Sequence, residues 1–128
     1  MQTLLATLNP KQVKMLFNSL IRLVGNLDIF AHFHDTRGLG MANVLTAFDL
    51  GIRKFDSSLL GLGGCPFAPG ASGNVATEDI IYLFNSMKIS TGIDLKDLII
   101  LCKNIGKFFK SEALSGKILS AGIPKNFN

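Results

Sequence analysis

Apolar residues recur at helical spacing through Val13, Leu16, Phe17, Leu20 and Val24. They follow Asn9-Pro10, a pair suited to the N-cap and first position of a helix, and Gly25-Asn26 ends the repeat. From Leu27 to Phe33 the pattern changes to an apolar run too short for a helix, which predicts a buried strand before the turn signals of Asp35 to Gly40. Met41, Val44, Leu45 and Phe48 mark one face of a second helix, with Gly51 just past its end. Arg53 to Leu59 predicts a second strand. Thr77 then precedes Glu78 and Asp79, acids placed where the first turn of a third helix favours them, and Ile80, Phe84 and Met87 form its apolar face. After the break at Ser90-Thr91-Gly92, Asp94 can cap a fourth helix, in which Leu95, Leu98, Cys102, Ile105 and Phe109 recur at 3-4-3-4 spacing. Cys102 lies within that stripe and reads as an inert core thiol. Beyond Lys110 the pattern is weak, and no internal repeat is visible.

The order helix–strand–helix–strand–helix–helix predicts an α/β fold with parallel strands joined by right-handed crossovers. Such folds place their sites in the loops after the C-terminal ends of strands. Two stretches fall there: His34 to Gly40 and Gly61 to Asn74. Two strands alone neither close a barrel nor cover this many apolar helix faces. A (β/α)8 barrel takes about 250 residues, so the chain is expected to be a portion of one or to pair with something else.

Composition narrows the classes. At 128 residues the chain is at most one domain, and 48% apolar with 17% charged residues is globular in character. No apolar run reaches the length of a membrane span, and the N-terminus lacks the succession of a secretory signal, so the expectation is a cytoplasmic protein with no membrane contact. Two distant cysteines do not make a disulfide framework. The net charge of +4 is concentrated in Lys103, Lys107, Lys110, Lys117 and Lys125, without the interleaved aromatics of a nucleic-acid surface; no nucleic-acid partner is expected.

Candidate chemistry gathers in the two loops. Gly61 to Asn74, GLGGCPFAPGASGN, holds five glycines and two prolines around a single thiol, Cys65, and is too long and too broken for a helix or strand. Cys65 is a candidate proton donor, nucleophile or packed thiol; with no free base in view, a protonated donor suits it better than a nucleophile. His32 and His34, the only histidines, lie two apart on a strand and so leave the same face. They are either metal ligands or a hydrogen-bonded pair, and their place at a strand's C-terminal end favours metal. Asp35 leaves the other side, where it could orient a histidine or cap the loop. Asn74 is an ordinary loop asparagine or, through its carbonyl oxygen, a hard neutral ligand. A mixed nitrogen and oxygen set points to Mg²⁺ or Mn²⁺.

Three runs then resemble the 3-hydroxy-3-methylglutaryl-CoA lyase family: His32-Phe33-His34-Asp35-Thr36-Arg37-Gly38, Phe55-Asp56-Ser57-Ser58, and the stretch from Gly61 through Asn74 to Asp79. The likeness runs with even spacing from about Leu27 to Leu98 and continues more loosely to Leu114-Ser115-Gly116-Lys117. His-x-His is shared across the wider group of metal-dependent barrel lyases and aldolase-type synthases, whereas the glycine-loop run is specific to the lyases.

The resemblance implies that residues 1–128 are the C-terminal part of a (β/α)8 TIM-barrel domain of the pyruvate carboxyltransferase-like group, about the last two strands with their helices. It implies cleavage of 3-hydroxy-3-methylglutaryl-CoA to acetyl-CoA and acetoacetate, a step of leucine and ketone-body catabolism. His32, His34 and Asn74 would hold a divalent metal, Cys65 would protonate the acetyl-CoA enolate, and Glu78 would support the site or anchor the loop. An acyl-CoA is the implied substrate; a second copy of the chain or the missing N-terminal half is the expected partner. The family's first-strand aspartate ligand and neighbouring arginine have no counterpart here, and Gln2 and Leu5 stand where the family has an acidic pair and a glycine. The isolated chain is therefore expected to be inactive or nearly so.

Overall fold

The computed structural model describes residues 7–25, 27–64, 73–110 and 114–127. Helix α1 spans Pro10–Val24, strand β1 Phe30–His32, α2 Gly40–Asp49 and β2 Lys54–Asp56. A single 3-10 turn, Leu59–Gly61, precedes α3 at Thr77–Ser86; α4 is Leu95–Gly106 and α5 Lys117–Ala121. The expected element order is observed, and α5 is added in the tail where the pattern was weak. Both strands are shorter than their apolar runs, because only three residues of each find a hydrogen-bonded neighbour.

Local chemistry explains the boundaries. Asn9 caps α1 through its side chain, which accepts from Gln12 N–H while the Gln12 amide oxygen accepts from Asn9 N–H at 3.0 Å. This reciprocal box satisfies two donors that the first helical turn leaves open. Asp94 Oδ1 does the same for α4, accepting from the N–H groups of Lys96 and Asp97 at 2.8 and 3.0 Å.

β1 and β2 pair in parallel with Phe30 beside Lys54, Ala31 beside Phe55 and His32 beside Asp56. Alternation along the strands divides this sheet into two unlike faces. Ala31 and Phe33 are 1% and 2% exposed; they join Val13, Phe17, Val44, Ala47, Ile80 and Phe84 in a core between the sheet and helices α1 to α3. The opposite face carries Phe30, His32, Lys54 and Asp56, and Phe30 there is 66% exposed. Lys54 on that face lies 5.1 Å over the Phe30 ring and ion-pairs with Asp28. A second core, built from Leu60, Ile81, Leu95, Leu98, Ile99, Cys102 and Ile118, joins the 3-10 turn to α3, α4 and α5. Cys102 is fully buried there, as its place in the stripe predicts. Among the described residues no helix is long and apolar enough to cross a membrane.

Candidate active site

The C-terminal ends of both strands converge with the segment Gly73–Ala76. Val75 N–H donates to Phe33 O at 3.1 Å, Asp35 N–H to Gly73 O at 3.3 Å, and His34 forms an antiparallel bridge with Asn74. On the other side Ser58 bridges Ala76 in parallel. The returning chain is thus stitched to both strand ends, and this places Asn74 beside His34.

The described ends of the glycine loop are pinched together. Asn74 N–H donates to Gly63 O at 3.1 Å, and the Asn74 side-chain amide donates to Leu62 O at 2.9 Å. Gly73 has φ +83°, and a Cβ there would sit 2.0 Å from Gly61 O, so only glycine fits. The bond to Leu62 fixes the Asn74 amide nitrogen and leaves its carbonyl oxygen as the atom with lone pairs to offer. Cys65 lies outside the described residues.

His32 and His34 leave β1 on its open face, and their rings meet edge to face with centroids 5.1 Å apart. Burial, and next repulsion from His32 whenever that ring is protonated, lower the His34 pKa from its ordinary value, which favours the neutral imidazole. Its Nδ1 is buried without a hydrogen-bond partner. A neutral imidazole with an unsatisfied buried nitrogen has a lone pair to donate, which suits a metal ligand. His32 Nδ1 lies 2.5 Å from Asp56 Oδ1, its register partner on β2.

Of the two roles open to Asp35, the structure shows the cap: its Oδ1 accepts from Gly40 N–H at 2.7 Å at the start of α2. Asp56 is the acid that faces His32, and sequence reasoning passed over it. The signal was present, since a residue at the C-terminal end of the next parallel strand stands beside the histidine strand. Glu78 is fully buried; its Oε2 accepts from Leu60 N–H at 3.1 Å. Leu60 holds a left-handed conformation at φ 62°, and its carbonyl accepts from Ser115 N–H at 2.9 Å. Asp79 accepts from Lys117 and Ile118 N–H, both at 2.8 Å. The Glu78-Asp79 pair therefore fastens the loop root and the 115–118 segment to α3.

The donor set is incomplete on its own. Among the described residues no group of three or more His, Cys, Asp or Glu is placed to hold a metal ion. The two imidazoles and the Asn74 carbonyl fit one side of a nitrogen and oxygen site, and further oxygen ligands would have to come from elsewhere.

Comparison with known proteins agrees with this geometry. The HMGL-like family profile matches residues 3–105. Over 95 residues the chain is 48% identical to hydroxymethylglutaryl-CoA lyase YngG of Bacillus subtilis, covering 74% of this chain and 32% of that protein. It is 47% identical over 90 residues to (R)-citramalyl-CoA lyase of Chloroflexus aurantiacus, covering 70% of this chain and 28% of that one. An HMG-CoA lyase of Acinetobacter baumannii, solved in complex with coenzyme A and 3-methylmalate, superposes with a TM-score of 0.86 at 41% identity, covering 96% of this chain and 40% of the other. The chain spans about a third of the length of the curated relatives it matches. The paired parallel strands with their helices are thus the C-terminal portion of a (β/α)8 barrel, and the open sheet face is the face such a barrel turns inward. The chain belongs to the HMGL-like family.

Proposed function

We propose that the chain carries the metal-binding strand end and the proton-donating loop of a carbon–carbon lyase that cleaves 3-hydroxy-3-methylglutaryl-CoA to acetyl-CoA and acetoacetate. The observation that carries this reading is His34, its Nδ1 buried and unpartnered, set beside His32 and bridged to Asn74. His32, His34 and Asn74 would hold the ion, Mg²⁺ or Mn²⁺, as nitrogen and oxygen donors. When bound, such an ion polarises the hydroxyl and carbonyl oxygens of the substrate.

The reaction loses the proton of the substrate's C3 hydroxyl. The C2–C3 bond breaks, the C3–O bond becomes the ketone of acetoacetate, and the electron pair passes to C2 as the acetyl-CoA enolate. Cys65 donates its thiol proton to C2; the hydroxyl proton leaves to water, and water reprotonates the thiolate, so the cycle consumes no net proton. The bonds from Asn74 to Leu62 and Gly63, with the close approach of Gly73 to Gly61, tie both described ends of the loop that bears Cys65 to the residue that would hold the ion. The described residues supply neither the aspartate ligand nor the arginine of a first strand, so turnover requires the remaining strands of the barrel.

The test is cleavage of 3-hydroxy-3-methylglutaryl-CoA by the chain alone and by the chain reconstituted with the first six strands of the Bacillus subtilis relative. Activity only after reconstitution is expected, with loss of roughly a hundredfold or more in Cys65→Ala, as removal of a general acid predicts. Normal activity in Cys65→Ala would remove the proton-donor role. A second reading has direct support in the 47% identity to a citramalyl-CoA lyase. Side-by-side assay of citramalyl-CoA decides between the two substrates.

A further inference from the structure

Resting on the metal reading above, we propose that Asp56 is the positioning residue of the site: it fixes His32 as the Nδ1–H tautomer and so presents a bare Nε2 toward the ion. Three observations carry it. The parallel register sets His32 directly beside Asp56, so both side chains rise from the open face of the sheet. His32 Nδ1 lies 2.5 Å from Asp56 Oδ1. Finally, the edge-to-face contact with His34 limits the tilt of the ring on its other side.

The chemistry follows from the donor inventory. An ionised carboxylate only accepts hydrogen bonds, so the proton between the two residues belongs to Nδ1. A neutral ring carries one proton, and with Nδ1 occupied the lone pair is on Nε2. The carboxylate also raises the basicity of that lone pair and holds the ring plane against rotation. Without Asp56, a half-buried His32 would divide between tautomers and orientations, and only a fraction would face the ion correctly.

The test uses the full chain and reads the tautomer directly. Long-range proton–nitrogen correlation of the imidazoles at mildly alkaline pH gives two spin systems for the two histidines. The wild type is expected to show His32 protonated at Nδ1 and bare at Nε2. In Asp56→Ala the Nε2–H form is expected to dominate, whereas Asp56→Asn, which keeps an acceptor oxygen, is expected to restore part of the wild-type pattern. The Asp56 side chain is 64% exposed, so these variants should fold. A wild-type His32 protonated at Nε2, or an Asp56→Ala ring still protonated at Nδ1, overturns the proposal. In the reconstituted barrel, Mn²⁺ affinity measured by electron paramagnetic resonance should fall about 10–100-fold in Asp56→Ala. Unchanged affinity in Asp56→Ala, alongside loss in His32→Ala, would also overturn it. Should His32→Ala and His34→Ala both keep full Mn²⁺ affinity, the metal reading fails, while the tautomer measurement still decides the role of Asp56.

Discussion

Gly116→Ala probes how the tail is fastened to the loop root. At φ −57° and ψ 111° the Gly116 backbone is open to any L residue, so the change carries no conformational penalty of its own. The cost is steric. A Cβ built there lies 2.1 Å from Glu78 Oε1, 3.0 Å from its Cδ and 3.4 Å from its Cγ. Glu78 is enclosed on all sides, so either its carboxyl turns away or the 115–118 segment retreats. Turning away breaks the bond from Leu60 N–H, and retreat breaks those from Ser115, Lys117 and Ile118 N–H. Overpacking of this kind costs about 1–3 kcal/mol, and a buried donor left unpaired costs about 1–3 kcal/mol. The expected loss is roughly 2–6 kcal/mol, read as a lower urea midpoint at unchanged m. The decisive arm is the double mutant. Glu78→Ala removes the obstacle, so Gly116→Ala should cost little in that background, and the coupling should approach the whole of that loss. An equal penalty with and without Glu78 would refute the steric argument.

Other outcomes follow from the same packing. Burial raises the Glu78 carboxyl above its ordinary 4.5, against backbone hydrogen bonds that lower it. Its stabilising contribution is therefore full below about 4.5 and is lost as pH rises through the higher folded value. Glu78→Gln should flatten that loss and raise stability at neutral pH; equal pH slopes in urea titrations of both proteins would contradict it. Burial, then the Glu78 charge, pushes the Cys102 thiol up to about 12. Only about one molecule in 10⁵ is then thiolate at neutral pH, so iodoacetamide should label Cys102 after unfolding and not before, as mass spectrometry of native and urea-treated samples would show. Asn9→Ala removes the reciprocal cap of α1 and should cost about 1 kcal/mol; a change below a few tenths would mean the cap adds nothing in this context. Asn43 is buried, and its amide donates to Leu8 O at 2.8 Å, so Asn43→Leu should destabilise measurably by calorimetry through the orphaned carbonyl, by about 1–3 kcal/mol.

Much of this was legible in order of periodicity. Asn9-Pro10 and Asp94 carry their caps in the residue types themselves, and the α4 stripe places Cys102 without ambiguity. The strand ends were less legible, because an apolar run marks burial and not the residues that find a hydrogen-bonded neighbour. Met87 shows the same limit: it follows the helical spacing of Ile80 and Phe84, yet α3 has ended and Met87 is exposed. In the site, the His32 and His34 pair was visible from strand period alone. Asp56 was not, because its role depends on register between strands, which periodicity within one strand does not encode. Glu78 was placed by resemblance as a support for the loop, and its bond to Leu60 N–H is the contact the structure adds.

The closure of the loop ends bears on the tolerance of the chain to changes of loop length. The bonds from Asn74 to Leu62 and Gly63, with the Gly73–Gly61 approach, fix both ends of the intervening segment irrespective of what lies between. Chain entropy then charges little for length: doubling a flexible loop with fixed ends costs only about 0.6 kcal/mol. A change of length between Gly64 and Gly73 that keeps Cys65 is therefore expected to leave the hydrogen bonds that hold His34 and Asn74 in place.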